Sequence, residues 1–242
     1  MNRKELVPIQ LLPLSDNAIV LQFGEEVSEE IHAKIQAVAH YLEQHPLPGM
    51  QAYVPAYTTL TVYYDPWVTS NKGKTDPYDA MVAQLQQVLS ETKKHKRNGG
   101  RLVEIPVCYG GEYGPDLEEV VGYTNLSHEE VIALHSGTTY LVHMMGFAPG
   151  FPYLGGLNDR IATPRRHEPR KAIPKGSVGI AGQQTGIYPI ETPGGWQLIG
   201  QTPLELFNPD RAQPSLLRAG DKVRFVPISE DEFKHQAEQH EH

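Results

Sequence analysis

Residues 143–203 read HMMGFAPGFPYLGGLNDRIATPRRHEPRKAIPKGSVGIAGQQTGIYPIETPGGWQLIGQTP, and their composition decides the fold class. Glycine and proline recur every few residues, with Phe147, Phe151, Tyr153, Tyr188 and Trp196 between them. A flexible linker would be rich in glycine and serine and would lack those rings. Glycine permits positive φ and close backbone approach, and proline fixes φ and removes a donor, so the stretch describes a rigid, many-turned surface. Within it Ser177 to Ala181, Thr185 to Ile190 and Trp196 to Gly200 read as short strands between turn residues. Outward from it, Leu102 to Tyr109 and Thr138 to Met144 precede it as strands, and Asp221 to Ile228 follows as another. Many short strands with few helices predict a β-barrel or sandwich. Asp116 stands where it would cap a short helix through Val121. Ser127-His128-Glu129-Glu130 matches a capping box for a second helix, with Gly137 just past its end.

The N-terminal part has a different rhythm. Ile9 to Leu14 and Ala18 to Phe23 read as strands around a Ser15-Asp16-Asn17 turn. Ser28 caps a helix whose Ile31, Ile35, Val38 and Leu42 keep helical spacing. Met50 to Val54 and Thr58 to Tyr64 are strand-like, and Asp65-Pro66 closes the second. Asp76-Pro77 opens a second helix with Met81, Leu85, Val88 and Leu89 as its buried stripe. The basic run from Lys93 to Arg101 marks the domain boundary. The expectation is an α+β protein. It has a small N-terminal ββαββα sandwich over residues 1–96, a β-barrel domain over 97–230, and a polar tail over 231–242 that frays.

With 242 residues, 39% hydrophobic and 21% charged, the chain can bury a core. A net charge of −8 disfavours a basic field for nucleic acid. No run is long and apolar enough to span a bilayer, and Pro8, Gln10 and Pro13 interrupt any signal-peptide core. The single cysteine, Cys108, fits a reducing compartment. A soluble, cytoplasmic protein with neither nucleic-acid nor membrane partners is expected.

The sequence carries no P-loop, no GxGxxG after a strand, no GxSxG and no HExxH. Cys108 sits in a strand-like run with no base suggested beside it, and reads as a buried, inert thiol. The eleven histidines are scattered, and no tight Cys/His quartet supports a metal site. The positive signal is Arg165-Arg166-His167-Glu168-Pro169-Arg170-Lys171. Guanidinium forks suit carboxylate and phosphate, while the alternative is a solvated basic turn with one ion pair to Glu168. Pro164, Pro169 and Pro174 favour a held geometry. His143 is either a satisfied half-buried histidine or an acid/base or hydrogen-bonding group. The five rings are core residues in the main, with one or two of them as pocket walls.

GFAPGFPYLGGL at 146–157 and TPRRHEPRKAIPKGSVGIAGQQTGIYPIETPGGWQLIGQTPLELF at 163–207 strongly resemble the family of the 5-oxoprolinase B subunit. That family also takes in allophanate hydrolase subunit 1 and the Kip-type inhibitors of sporulation histidine kinases. The resemblance implies a cyclophilin-like β-barrel for the second domain. It implies ATP-dependent opening of 5-oxo-L-proline to L-glutamate, with ATP as co-substrate and 5-oxoprolinase subunits A and C as partners. Arg166 and Arg170 are then expected to bind carboxylate or phosphate, and His143 to be an acid/base or orienting group. Phe147, Phe151, Tyr153, Gln183, Gln184, Tyr188 and Trp196 are expected to bind substrate. Gln201 stands where arginine is common in the family. Two alternatives follow from the same resemblance. One is an inhibitor that docks a sensor histidine kinase through rings such as Phe151 or Trp196. The other is an allophanate hydrolase subunit. Peptidyl-prolyl isomerase activity would rest on fold analogy alone, which carries no function.

Overall fold

A computed structural model describes residues 8–92 and 100–240, and the chain divides into two compact units, Met1–Asn98 and Gly99–His242. Most of the basic run taken as the boundary lies outside the described residues.

The first unit is one antiparallel sheet ordered β1-β2-β4-β3, built from β1 (Gln10–Ser15), β2 (Ala18–Gln22), β3 (Met50–Pro55) and β4 (Thr59–Tyr64). Ile19, Leu21, Leu60, Val62 and Tyr64 share one core with Ile35, Val38 and Leu42 of α1 (Glu29–Gln44) and Met81, Leu85 and Val88 of α3 (Pro77–Thr92). The caps form as the sequence suggests. Ser28 Oγ accepts from the Ile31 N–H at 3.2 Å, and the Asp76 carboxylate accepts from the Asp79 N–H at 3.0 Å. A short helix α2 (Pro66–Thr69) is additional, capped by Asp65 where the sequence showed only a strand end.

The second unit is a closed barrel. Its seven strands run β10-β7-β6-β13-β5-β12-β9 and close between β9 and β10. They are β5 (Leu102–Tyr109), β6 (Thr139–Met145), β7 (Pro152–Gly155), β9 (Ser177–Ala181), β10 (Gln184–Ile187), β12 (Gln197–Gln201) and β13 (Lys222–Pro227). The barrel the sequence pattern calls for is therefore present, in an α+β protein. One pair is parallel: β13 lies along β5, from Lys222 on Leu102 to Pro227 on Val107. α4 (Leu117–Thr124) and α5 (His128–Ser136) follow β5, and the Ser127–Glu130 capping box is complete on both sides. β7 and the small β8 (Arg170–Ile173) with β11 (Thr192–Gly194) were not expected as strands, since proline and glycine interrupt them.

The tail corrects the sequence reading. Glu230–His240 forms α6, and its start is fixed reciprocally: Ser229 Oγ accepts from the Glu232 N–H at 3.3 Å, and Glu232 accepts from the Ser229 N–H at 2.8 Å. Phe233 packs on Tyr113 with centroids 4.4 Å apart, which gives the helix one apolar anchor on the barrel unit. No helix among the described residues is long and apolar enough to cross a membrane.

Candidate functional site

Strand alternation sorts the barrel's side chains onto two faces. Val178, Ile180, Ile187 and Leu154 belong to the interior core, whereas Ala181, Phe151, Tyr188, Trp196 and Leu198 gather with Ile173 in a smaller cluster. Glycine forms the floor of that cluster. A Cβ on Gly186 would stand 2.9 Å from the Phe151 ring and 3.0 Å from the Trp196 ring. Phe151 meets Tyr153, Tyr188 and Trp196 edge-on, with centroids 5.0, 5.3 and 5.5 Å apart. Phe147 touches Phe151 and Tyr188 from outside and is 62% exposed. Its φ of 66° is a left-handed conformation that bulky residues rarely adopt. Phe151, Tyr188 and Trp196 are thus the body of an aromatic wall, and Phe147 is its open rim. Burial pushes the Tyr188 phenol up to about 12, against the pull of the Trp196 backbone N–H and of Arg165 and Arg170. It stays neutral, and it joins the aromatic wall to the arginines.

The arginines are organised by a residue read in sequence only as a helix cap. Asp116 occupies the cap position of α4 but makes no side-chain bond to that helix. Its Oδ1 accepts from Arg166 Nη1 at 2.8 Å and from Arg170 Nη2 at 2.6 Å. Its Oδ2 accepts from the Leu198 N–H at 2.7 Å. The carboxylate is 4% exposed. Two guanidinium ions share one carboxylate, so the cluster keeps one unit of positive charge in a mostly dry place. No local signal could reveal this, because the arginines lie 50 and 54 residues further on.

A cavity of about 500 Å³ opens beside this centre. Glu119 and Tyr123 of α4 form one side, and Thr163, Arg165, Arg166 and Gln197 line the rest together with their neighbours. Arg166 is held there by its own N–H, which donates to Gly195 O at 2.7 Å.

The remaining expected residues fall elsewhere. His143 is buried on β6, at a register shift between Val142 and Met144, where a bulge re-aims its side chain. Its ring lies against Gly155, and a Cβ there would run into the imidazole. Gly155→Ala is expected to cost about 1–3 kcal/mol by overpacking, read as a shift in urea midpoint. An unchanged midpoint would mean the ring moves aside without strain. β6 is three strand places from β12 by the shorter way round. Gln183 sits in the β9–β10 turn after Gly182, which has φ 59°, and its Nε2 donates to Asp159 Oδ1 at 3.1 Å. Gln184 begins β10 and is half-buried. Gln201 Nε2 donates to Lys175 O at 2.7 Å. Cys108 is buried, and burial with Glu230 and Glu112 pushes its thiol up. Among the described residues no group of three or more His, Cys, Asp or Glu could hold a metal ion.

His135 of α5 is a further buried polar group that the sequence did not flag. Its Nδ1 lies 2.7 Å from the Tyr109 hydroxyl and its Nε2 2.9 Å from Thr185 Oγ1. The Thr185 hydroxyl donates to Gly179 O at 2.9 Å, so Nε2 donates to Thr185 and Nδ1 accepts from Tyr109. Burial lowers this imidazole to about 3, and it is neutral in the fold.

Comparison with known proteins places this geometry in a family context. A family model described as carboxyltransferase domain, subdomain C and D, matches residues 9–217. The B subunit of 5-oxoprolinase from Bacillus subtilis (strain 168) is 51% identical over 230 residues, which is 94% of this chain and 96% of that protein. The crystal structure of TTHA0988 superposes with a TM-score of 0.75 at 40% identity. It covers 88% of this chain, which spans only 40% of that one. The K. lactis urea amidolyase, 21% identical with a TM-score of 0.75, shares the fold over 98% of this chain and 16% of its own.

Proposed function

The chain belongs to the carboxyltransferase subdomain C and D family, and from that membership we propose that it is the B subunit of a cytoplasmic, ATP-dependent 5-oxoprolinase. It works with subunits A and C to open 5-oxo-L-proline to L-glutamate. The observation that carries this reading is the 51% identity, over nearly the full length of both chains, to a protein of that name.

The chemistry asks for what the Asp116 centre offers. A five-membered lactam is resonance-stabilised and resists water. Transfer of the ATP γ-phosphoryl group to the lactam oxygen releases ADP and leaves the ring carbon open to attack. One water adds to that carbon. The ring C–N bond then breaks, the nitrogen takes a proton, and an acyl phosphate remains. A second water cleaves it to the carboxylate and phosphate. Negative charge develops on oxygen throughout, and fixed cationic donors stabilise it. Arg166 and Arg170, held by Asp116, take that role toward carboxylate or phosphate. The aromatic wall keeps bulk water off the reacting centre beyond the two molecules that react, with Tyr153 and Phe147 toward its open side. His143, Gln183 and Gln184 contribute acid/base or hydrogen-bonding groups from their separate places on the barrel unit. ATP is the co-substrate of the assembly.

The test is ATP-dependent glutamate release from 5-oxoproline, by the chain alone and mixed with subunits A and C. Activity in the full mixture, lowered about 10²-fold by Arg170→Ala, is the expected result. Silence in a mixture of verified assembly would turn the assignment to the kinase-inhibiting relatives. A docking surface would then fall to Phe147, since Phe151 and Trp196 are buried at 1% and 6% exposure.

A further inference from the structure

The loop that delivers Asp116 is bonded on one side and braced by a helix on the other. It runs from the end of β5 at Tyr109 to the start of α4 at Leu117. Its two ends are tied to β12: the Gly110 N–H donates to Ile199 O at 3.1 Å, and the Asp116 N–H donates to Leu198 O at 2.8 Å. Gly114 lies so close to β12 that a Cβ there would stand 2.1 Å from Ile199 O. The tip, Gly111 to Tyr113, makes no backbone-to-backbone hydrogen bond among the described residues. Gly110 and Gly111 turn the chain into it with left-handed φ values of 72° and 54°, a conformation glycine adopts without strain. What meets the tip is α6. Tyr113 and Phe233 are both half-buried, with ring centroids 4.4 Å apart and planes tilted by 47°. Phe233 is the one large apolar residue of a helix that is otherwise polar. The helix is itself anchored where the loop begins. The Ile228 N–H donates to Val107 O at 2.9 Å, which carries the pairing with β5 past Pro227, and the Ser229–Glu232 box starts α6 at the next residue.

We infer that Phe233 is a positioning residue for the Asp116 centre: α6 holds the loop tip through Tyr113, and the loop passes that hold on to the carboxylate that gathers Arg166 and Arg170. An aromatic pair contributes beyond the area it buries, and here it is the contact that closes the outer side of the tip. Without it the tip is free to swing about Gly110 and Gly111, and Asp116 lies only three residues beyond Tyr113. The bonds of 2.8 and 2.6 Å from the two guanidinium groups are short and charge-assisted, so a small displacement of the carboxylate alters where both arginines point. Phe233 touches none of those groups and acts on them through Tyr113. The effect on turnover rests on the proposed function; the effect on the place of Asp116 rests on the contacts alone.

The Leu198 backbone amide is the reporter, because its N–H donates to Asp116 Oδ2 at 2.7 Å. The Val142 amide on β6, which donates to Asp221 O at 2.9 Å, is the control. Both are followed by NMR in the full chain, so the readout comes from folded molecules whatever their fraction. Phe233→Ala is expected to shift the Leu198 resonance and speed its hydrogen exchange about tenfold, with Val142 unchanged. Tyr113→Ala is expected to do the same, and the double variant to do no more than either, since both remove one contact. Phe233→Leu keeps an apolar side chain and is expected to restore part of the effect. In the assembly with subunits A and C, Phe233→Ala is expected to lower kcat for glutamate release about tenfold with KM little changed. A Leu198 amide that does not respond to Phe233→Ala overturns the inference. So does an equal response at Val142, which would mean a general loosening of the barrel, and so do additive effects of the two single variants. Unchanged kcat in an assembly whose parent is active overturns it as well, and leaves the 5-oxoprolinase reading intact. A parent assembly that releases no glutamate removes that reading, and a Leu198 response confined to the loop still upholds the brace.

Discussion

Asp116→Ala lowers the stability of the barrel unit by about 3 kcal/mol, the lower end of the range for breaking a buried ion pair. The lower end applies because Arg166 and Arg170 keep 35% and 24% of their side-chain surface in water. Three bonds are lost together: those to the two arginines and the one from the Leu198 N–H. What remains is two like charges in close quarters and an unsatisfied backbone donor on β12. Urea unfolding measures the change. A double substitution, Asp116→Ala with Arg170→Ala, should cost less than the sum of the single ones, because Arg170 without Asp116 is itself unfavourable. Additive losses, or a single-variant loss under about 1 kcal/mol, would mean that solvent already screens the cluster. In the assembled enzyme the same substitution should lower turnover at least as far as Arg170→Ala, since it releases both guanidinium groups at once.

The second large effect is a dependence of stability on pH. His135 is neutral in the fold, with its imidazole lowered to about 3 by burial, whereas in the unfolded chain it titrates near its ordinary value of 6.5. Below 6.5 the unfolded state binds a proton that the folded state refuses. The stability associated with neutral His135 is therefore complete above pH 6.5 and is lost progressively as pH falls from there toward 3. The slope is about 1.4 kcal/mol per pH unit, so moving from pH 7.5 to pH 5 removes about 2 kcal/mol through this residue. His135→Gln does not titrate. It should be less stable at pH 7.5, because the Tyr109 and Thr185 bonds fit it poorly. Its further drop at pH 5 should be smaller than the parent's by about 2 kcal/mol. Equal drops in the two proteins would place the acid sensitivity elsewhere.

Sequence made some of this legible and hid the rest for physical reasons. The capping boxes and the stripe of α1 are local, set by residues three or four apart, and Ser28, Asp76 and Ser127 form the bonds expected of them. The Ser229–Glu232 box carries the same signal, and the polar composition after it obscured a helix that was there to be read. The arginine-rich, proline-framed segment announced a held geometry, and Arg166 and Arg170 are indeed held. The holder was invisible, because Asp116 is joined to them only through the closed barrel. The dual nature of the aromatic residues was equally hidden. Phe151 and Phe147 are alike in sequence context, and only the Gly186 floor and the left-handed backbone at Phe147 make one a core ring and the other a rim. His143 stood out by type, yet its placement depends on a bulge and on the bare backbone of Gly155.

The parallel pairing of β5 with β13 joins the first and last strands of the barrel, with Leu102 beside Lys222. On a ribosome the barrel cannot close until residues up to Pro227 have emerged. Until then β5 and β6 present open edges, and the apolar faces of the intervening strands wait without their final cover. The four-stranded N-terminal unit needs none of that sequence and is free to fold while the rest is being made. The newborn protein thus passes through a stage with one finished unit and one sticky, unfinished one, during which chaperones and low temperature would raise the yield of native chain.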